Sequence, residues 1–350
     1  LAQAEAKEIK FEVARKFWSF QKLNEPKLPT VQNGAWPRED SDFFILSQLE
    51  KKHLRPAPVA DKRTLIRRAT YDLTGLPPTI AEIEAFLSDK SPNAFSKTIE
   101  RLLASPHYGE KWGRHWLDVA RYADSNGLDE NLAYVNAFRY RNYVINSFNE
   151  DKPYNRFVQE QIAGDLLPLS KNESDEMRHS RRIATGFLSV GAKMLAEDDG
   201  RKMEMDIIDE QLDTLGRAFM GMTIGCARCH DHKFDPIPTR DYYSLAGIFK
   251  STHTMDNHKV VAQWHEVELG SADLRAKREL VDKEVKKQKQ TIESLKSKSA
   301  KSITAQARSV AADYLIGALV KLRKEARIQF TLKELEEQPK EKTKGMLLIE

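Results

Sequence analysis

Met203–Gly225, MEMDIIDEQLDTLGRAFMGMTIG, is the stretch whose reading decides the fold. Ile208, Leu212, Leu215 and Phe219 recur at steps of four, three and four, the spacing of one apolar helix face. The predicted helix runs straight into Gly225–Pro238, GCARCHDHKFDPIP, which contains both cysteines of the chain. The same helix carries Glu204, Asp206, Asp209, Glu210 and Asp213, with Asp206–Glu210 and Asp209–Asp213 four apart. Such a row suits a divalent cation or, more commonly, a solvated helix face.

Helical spacing continues on both sides. In residues 1–20, Ile9, Val13, Phe17 and Phe20 can share a face, and a loop broken by Pro26, Pro29, Gly34 and Pro37 follows. DSDFFILSQLEKKHL (40–54) predicts a helix capped by Asp or Ser, and DKRTLIRRATYDL a second one ended by TGLPPT. Thr79 and Glu82 have capping-box spacing. Further helices are expected over NAFSKTIERLLAS, PHYGEKWGRHWLDVARYAD, AFRYRNYVINSFNED and PYNRFVQEQIAGDLL, then a polar linker over 169–180. In the segment 107–122, Trp112, Trp116 and Val119 read as core, with His107, His115, Arg121 and Tyr122 as possible pocket residues. VVAQWHEVEL alternates enough to suggest a strand. From 271 to 300, Leu274, Val281, Val285, Ile292 and Leu295 fall in sparse heptads interrupted by Arg278 and Gln288, which predicts a charged helical hairpin with a second helix over 304–328. The expected class is mainly α, an irregular multi-helix domain with that hairpin at its C-terminal end. The expected organisation is a helical domain over 1–258, a linker strand and hairpin over 259–330, and the truncated start of a further domain over 331–350.

Composition narrows the function classes. The chain has 350 residues, 56 Lys and Arg against 52 Asp and Glu, and a formal net charge of +4, too mild to imply a nucleic-acid partner. The longest apolar run, Tyr314–Leu322, contains a lysine and is too short to span a bilayer. Two cysteines exclude a disulfide framework. A Gly-rich phosphate loop, a G-x-S-x-G elbow and an H-E-x-x-H motif are all absent from the sequence.

Chemistry therefore centres on Cys226-Ala-Arg-Cys229-His230. Thiols three residues apart on one helical turn point to the same side, where both can add to the vinyl groups of one haem, with His230 beneath the iron as proximal ligand. This reading, haem c, stands first, and it implies a periplasmic or cell-surface protein working with an electron-transfer partner. Zinc is the alternative: Cys226, Cys229 and His230 or His232 would supply three ligands, and His253 or His258 the fourth. His232, His253, His258, Met220, Met222 and Met255 are also candidates for a sixth haem ligand. The zinc alternative makes the chain a non-redox scaffold, and a third reading, a metal-dependent hydrolase, would use the acidic helix.

Several phrases occur in an order that resembles one family: LIRRATYDLTGLPPT, LLASPHYGEKWGRHWLDVARYADSNG, YRNYVINSFNEDKPYNRFVQEQIAGDLLP and GCARCHDHKFDPIPTRDYYSLAGIFKST. The chain is similar, over about residues 15–255, to the planctomycete-type cytochrome-c-associated domain of unknown function. The resemblance implies an exported, multidomain bacterial protein whose adjoining domains are partners on the same polypeptide. It carries over onto Cys226, Cys229 and His230, and to His232 and Asp235 beside them, but brings no reaction with it.

Overall fold

The computed structural model describes residues 10–14, 16–168, 174–270 and 272–326. In chain order the helices are α1 (Phe11–Ala14), α2 (Asp40–Lys51), α3 (Lys62–Thr74), α4 (Ile80–Ser88), α5 (Ala94–Leu103), α6 (Pro106–Val119), α7 (Ala137–Asn149), α8 (Tyr154–Ala163), α9 (Asp175–Ala184), α10 (Gly200–Leu215), α11 (Thr239–Lys250) and α12 (Ala272–Ala326). The one sheet among the described residues is an antiparallel pair, β1 (Met255–Asn257) and β2 (Gln263–Trp264). The chain divides into two units between Val267 and Glu268, so the first unit takes in the sheet.

Local chemistry sets most helix starts. Asp61 accepts the N–H of Thr64 at 3.0 Å and begins α3, which ends on Gly75 at a φ of 72°. Thr79 and Glu82 form the expected capping box on α4. Asp42 closes the start of α2 by accepting the N–H groups of Arg38 and Glu39, so the capping position is Glu39, not the Asp or Ser that composition suggests. Pro106 occupies the first turn of α6, where its missing N–H costs nothing. Part of the predicted linker is helical: Ser174 caps Met177, acidic Asp175 and Glu176 follow, and α9 buries Arg181 and Ala184 at its far end. At the N-terminal end, residues 1–9 lie outside the described residues, and the rest shows only α1 and a 3₁₀ turn over Trp18–Phe20. Val13 and Phe17 are exposed there and form no core face.

The main core joins α7, α8, α10 and α11 around Tyr140, Tyr143, Val144, Phe157, Phe187, Ile208, Leu212, Ile224, Tyr242 and Phe249. Of the three residues of α6 read as core, Trp116 packs against it, with its ring edge-on to Phe157 at 4.9 Å and Nε1 donating to Gln161 Oε1 at 2.9 Å, whereas Trp112 and Val119 are exposed. A second cluster joins Leu195, Met203, Ile207, Met255 and Ala262, tying the sheet to α10. A third, Ile66, Phe86 and Ala94, unites α3, α4 and α5.

The second unit departs from the predicted hairpin. α12 is one helix of 55 residues, continuous through 296–304. That segment, KSKSAKSIT, has no Gly or Pro to end a helix, and Ser and Thr lower helix propensity by only tenths of a kcal/mol each. Thr304 satisfies its hydroxyl on the carbonyl of Ala300 at 2.8 Å, the i−4 bond open to a threonine within a helix. The predicted further domain over 331–350 lies outside the described residues.

α6 and α7 approach so closely that a Cβ on Gly109 would stand 2.3 Å from the carbonyl oxygen of Ile145. The Gly109 N–H also donates to Asn149 Oδ1 at 2.7 Å. Gly247 in α11, by contrast, has nothing within 4 Å of its Cβ position. Gly109→Ala is expected to destabilise the chain by about 2–3 kcal/mol in urea unfolding. Gly247→Ala is expected to stabilise it by about 0.5–1 kcal/mol. Equal midpoints for the two variants would contradict this packing.

Candidate functional site

α10 ends in a π-helical turn, Gly216–Met220, and Gly221 reverses the chain at a φ of 65°. Ile224–Arg228 then forms a 3₁₀ turn with Cys229 as its C-cap. Three residues per turn eclipse side chains at i and i+3, so the turn has three faces. Ile224 and Ala227 are buried in the main core. Gly225 and Arg228 face α10: a Cβ on Gly225 would stand 3.2 Å from Asp213, and Arg228 bonds its acidic side chains. Cys226 and Cys229 form the third face, both exposed and both free thiols.

Arg228, not singled out by its sequence context, is the residue that holds this turn. Its guanidinium donates to Asp206 Oδ1 at 2.8 Å and lies 3.1 Å from Asp209 Oδ2. Burial works against its charge, yet the two carboxylates hold its pKa above the ordinary arginine value. Asp209 also accepts from the Tyr242 hydroxyl at 2.5 Å; burial and that carboxylate push the phenol up. Tyr243 donates to the Arg228 carbonyl at 3.1 Å from the other side. The rest of the acidic row is paired too: Glu204 with Lys250, Asp213 with Arg217, and Glu210 with Arg121 and the buried Lys193. Burial, with Arg121 adding to it, pushes the Lys193 ammonium well below its ordinary value. These carboxylates form cation-paired faces of α10.

His230 is exposed, and its Nδ1 lies 2.8 Å from the carbonyl of Asp231. Nδ1 therefore carries the proton and donates it, and the lone pair resides on Nε2. His232 is the opposite case, only 6% exposed. Its Nδ1 accepts the N–H groups of Phe234 at 3.2 Å and Asp235 at 2.8 Å, which assigns the proton to Nε2, 2.9 Å from Thr223 Oγ1. Its backbone N–H donates to Ile237, so His232 closes the loop that returns to α11. Phe234, at the tip, is 84% exposed beneath the ammonium of Lys233.

The other sequence candidates lie elsewhere. Met255 is buried in the second cluster, and Met222 packs against the main core while Met220 is exposed. His107 pairs with Glu110, and His115 lies against Trp112. Arg121 is drawn to Glu210 on α10. His258 lines a pocket beside Ile207 and Met255. His253 meets Asp256 and His265, two residues that the sequence reading leaves out; among the described residues, this trio is where three metal-ligating atoms converge.

The α2–α11 frame with its exposed thiol turn coincides with a family boundary. Residues 41–254 match the PSCyt2 model, described as a protein of unknown function (DUF1549). The chain belongs to that family. The match covers the cysteine turn and stops before the sheet and α12, somewhat inside the span that the quoted phrases suggest. No curated protein matches this PSCyt2 chain, and no solved structure does.

Arg228→Ala is expected to lower unfolding free energy by about 1–2 kcal/mol, the range for a charged hydrogen bond at a half-buried site. It should also speed alkylation of Cys226 and Cys229 several-fold, because the turn loses its anchor. Arg228→Lys should recover less than half of either loss, since an ammonium does not bridge both carboxylates as a planar fork does. Unchanged alkylation rates in Arg228→Ala would separate the turn from this clamp.

Proposed function

We propose that the chain is an exported c-type haem protein, in which Cys226 and Cys229 anchor the porphyrin as thioethers and His230 is the proximal ligand. Haem c supplies one-electron transfer when bound. The reading is carried by His230: its Nδ1–H is tied to the Asp231 carbonyl, which leaves the lone pair on Nε2, on the residue that directly follows an exposed turn with two free thiols. A backbone carbonyl on the far nitrogen is the usual outer partner of a metal-bound imidazole, fixing both tautomer and ring direction. The donor set, two exposed thiols followed by an imidazole, is the one that a c-type haem uses.

Three further observations support it. Both thiols are exposed and open to reaction. Phe234 offers exposed apolar surface on the loop that follows His230, suited to the face of a macrocycle. His232 has both nitrogens engaged in closing that loop, and a zinc knuckle built on it would have to break the Phe234 and Asp235 bonds whichever nitrogen it used. A cofactor on an exposed turn is open to an electron partner or an adjoining domain of the same polypeptide. Covalent attachment outside the cytoplasmic membrane makes the periplasm or cell surface its compartment.

The test is expression of the chain, directed to the periplasm, with a haem c maturation system. Expected are a coloured product, retention of the colour after acetone extraction, and a positive peroxidase stain in a denaturing gel. Cys226→Ser with Cys229→Ser should abolish the stain, whereas His232→Asn should lower stability and leave it. A colourless chain, with zinc at the cysteines or with two free thiols, overturns the proposal.

A further inference from the structure

The sheet holds a second constellation that the haem reading does not use. Met255 pairs with Trp264 and Asn257 with Gln263, so two consecutive residues of β2 face three of β1, and Asp256 is the extra one. A bulge of this kind re-aims a side chain, and here it separates Met255, buried in the second cluster, from Asp256, turned to the surface. His253 precedes β1 and His265 follows β2, where the His265 N–H donates to the Thr254 carbonyl at 2.9 Å. The hairpin thus brings both imidazoles to the bulged carboxylate: His265 Nδ1 lies 2.7 Å and His253 Nε2 3.4 Å from Asp256 Oδ1. The two rings meet edge to face, with centroids 4.4 Å apart.

We propose that His253, Asp256 and His265 bind a divalent transition metal of the zinc class. Two imidazoles and one carboxylate are a donor set that zinc and its neighbours favour, and three protein ligands leave an open position for water or a small ligand. A tetrahedron with bonds of about 2.05 Å has edges of about 3.4 Å. The His253–Asp256 distance already equals such an edge. The His265–Asp256 distance is that of a hydrogen bond, and opening it by roughly 0.7 Å exchanges its proton for the ion. The ionic partners of Asp256 among the described residues are these two histidines, so no lysine or arginine competes for its charge. All three side chains are exposed, which gives an ion direct access. His253 also lines a pocket of about 140 Å³ with Glu204, Ile207, Lys250, Met255 and His258, and a small ligand of the metal has room beside it.

The measurement is titration of the intact chain with Zn²⁺ by calorimetry and with Co²⁺ by visible absorption, each repeated on Cys226→Ser/Cys229→Ser to silence the thiols. Expected is one ion per chain in both proteins, with cobalt ligand-field bands and no thiolate charge transfer from this site. His265→Ala and Asp256→Asn should each weaken binding at least about 10-fold, with circular dichroism unchanged because the ligands are exposed. Binding that disappears in the cysteine variant, or that survives His265→Ala at full affinity, overturns the site. So does a wild-type chain that takes up no ion. None of these results alters the haem test, which is read from covalent colour.

Discussion

One guanidinium couples the reactive turn to the body of the domain. Arg228 sits inside the C-x-x-C spacer, and its bonds to Asp206 and Asp209 fix the side of the turn opposite the thiols. A 3₁₀ turn of five residues has too few hydrogen bonds to hold its own orientation. Its rotation is set by what its other two faces touch, here apolar Ile224 and Ala227 on one and the Arg228 clamp on the other. The thiols are exposed because both remaining faces are occupied.

The same logic accounts for the two histidines of the motif. They are two residues apart and chemically identical, yet the loop assigns them opposite tautomers. His232 accepts two backbone N–H groups that a tight loop would otherwise leave unsatisfied, work that a neutral imidazole can do and an imidazolium cannot. His230 donates to the carbonyl that follows it and directs its basic nitrogen outward. Position relative to the loop, not residue type, separates the structural histidine from the candidate ligand.

Much of the frame was legible in the sequence because it rests on local rules. The steps Ile208, Leu212, Leu215 and Phe219, the Thr79–Glu82 box and the core placement of Trp116 depend on neighbours within a few residues. What was not legible depends on pairing across the chain. A heptad pattern that fades after Leu295 reads as a hairpin, although nothing in KSKSAKSIT stops a helix, and α12 runs on. His253, Asp256 and His265 are spaced H-x₂-D-x₈-H, which matches no common ligand motif until a bulge brings them together. Arg228 looked like spacer, since a C-x-x-C motif says nothing about its middle residues.

The acidic row on α10 shows most clearly where reading one face at a time falls short. At 100° per residue, Met203 and Ile207 occupy one third of its circumference, Ile208 and Leu212 the next, and Asp206, Asp209 and Asp213 the last. These are respectively the wall of the sheet's cluster, the main core and the clamp on the cysteine turn. A helix with three occupied faces cannot keep a purely solvated one, so its carboxylates are half-buried and require cations, which Arg228, Arg217 and Lys250 provide. Rotation of α10 about its axis is thereby fixed from three directions. The thiol turn and the bulged hairpin, far apart in chemistry, take their orientation from the same sixteen-residue helix.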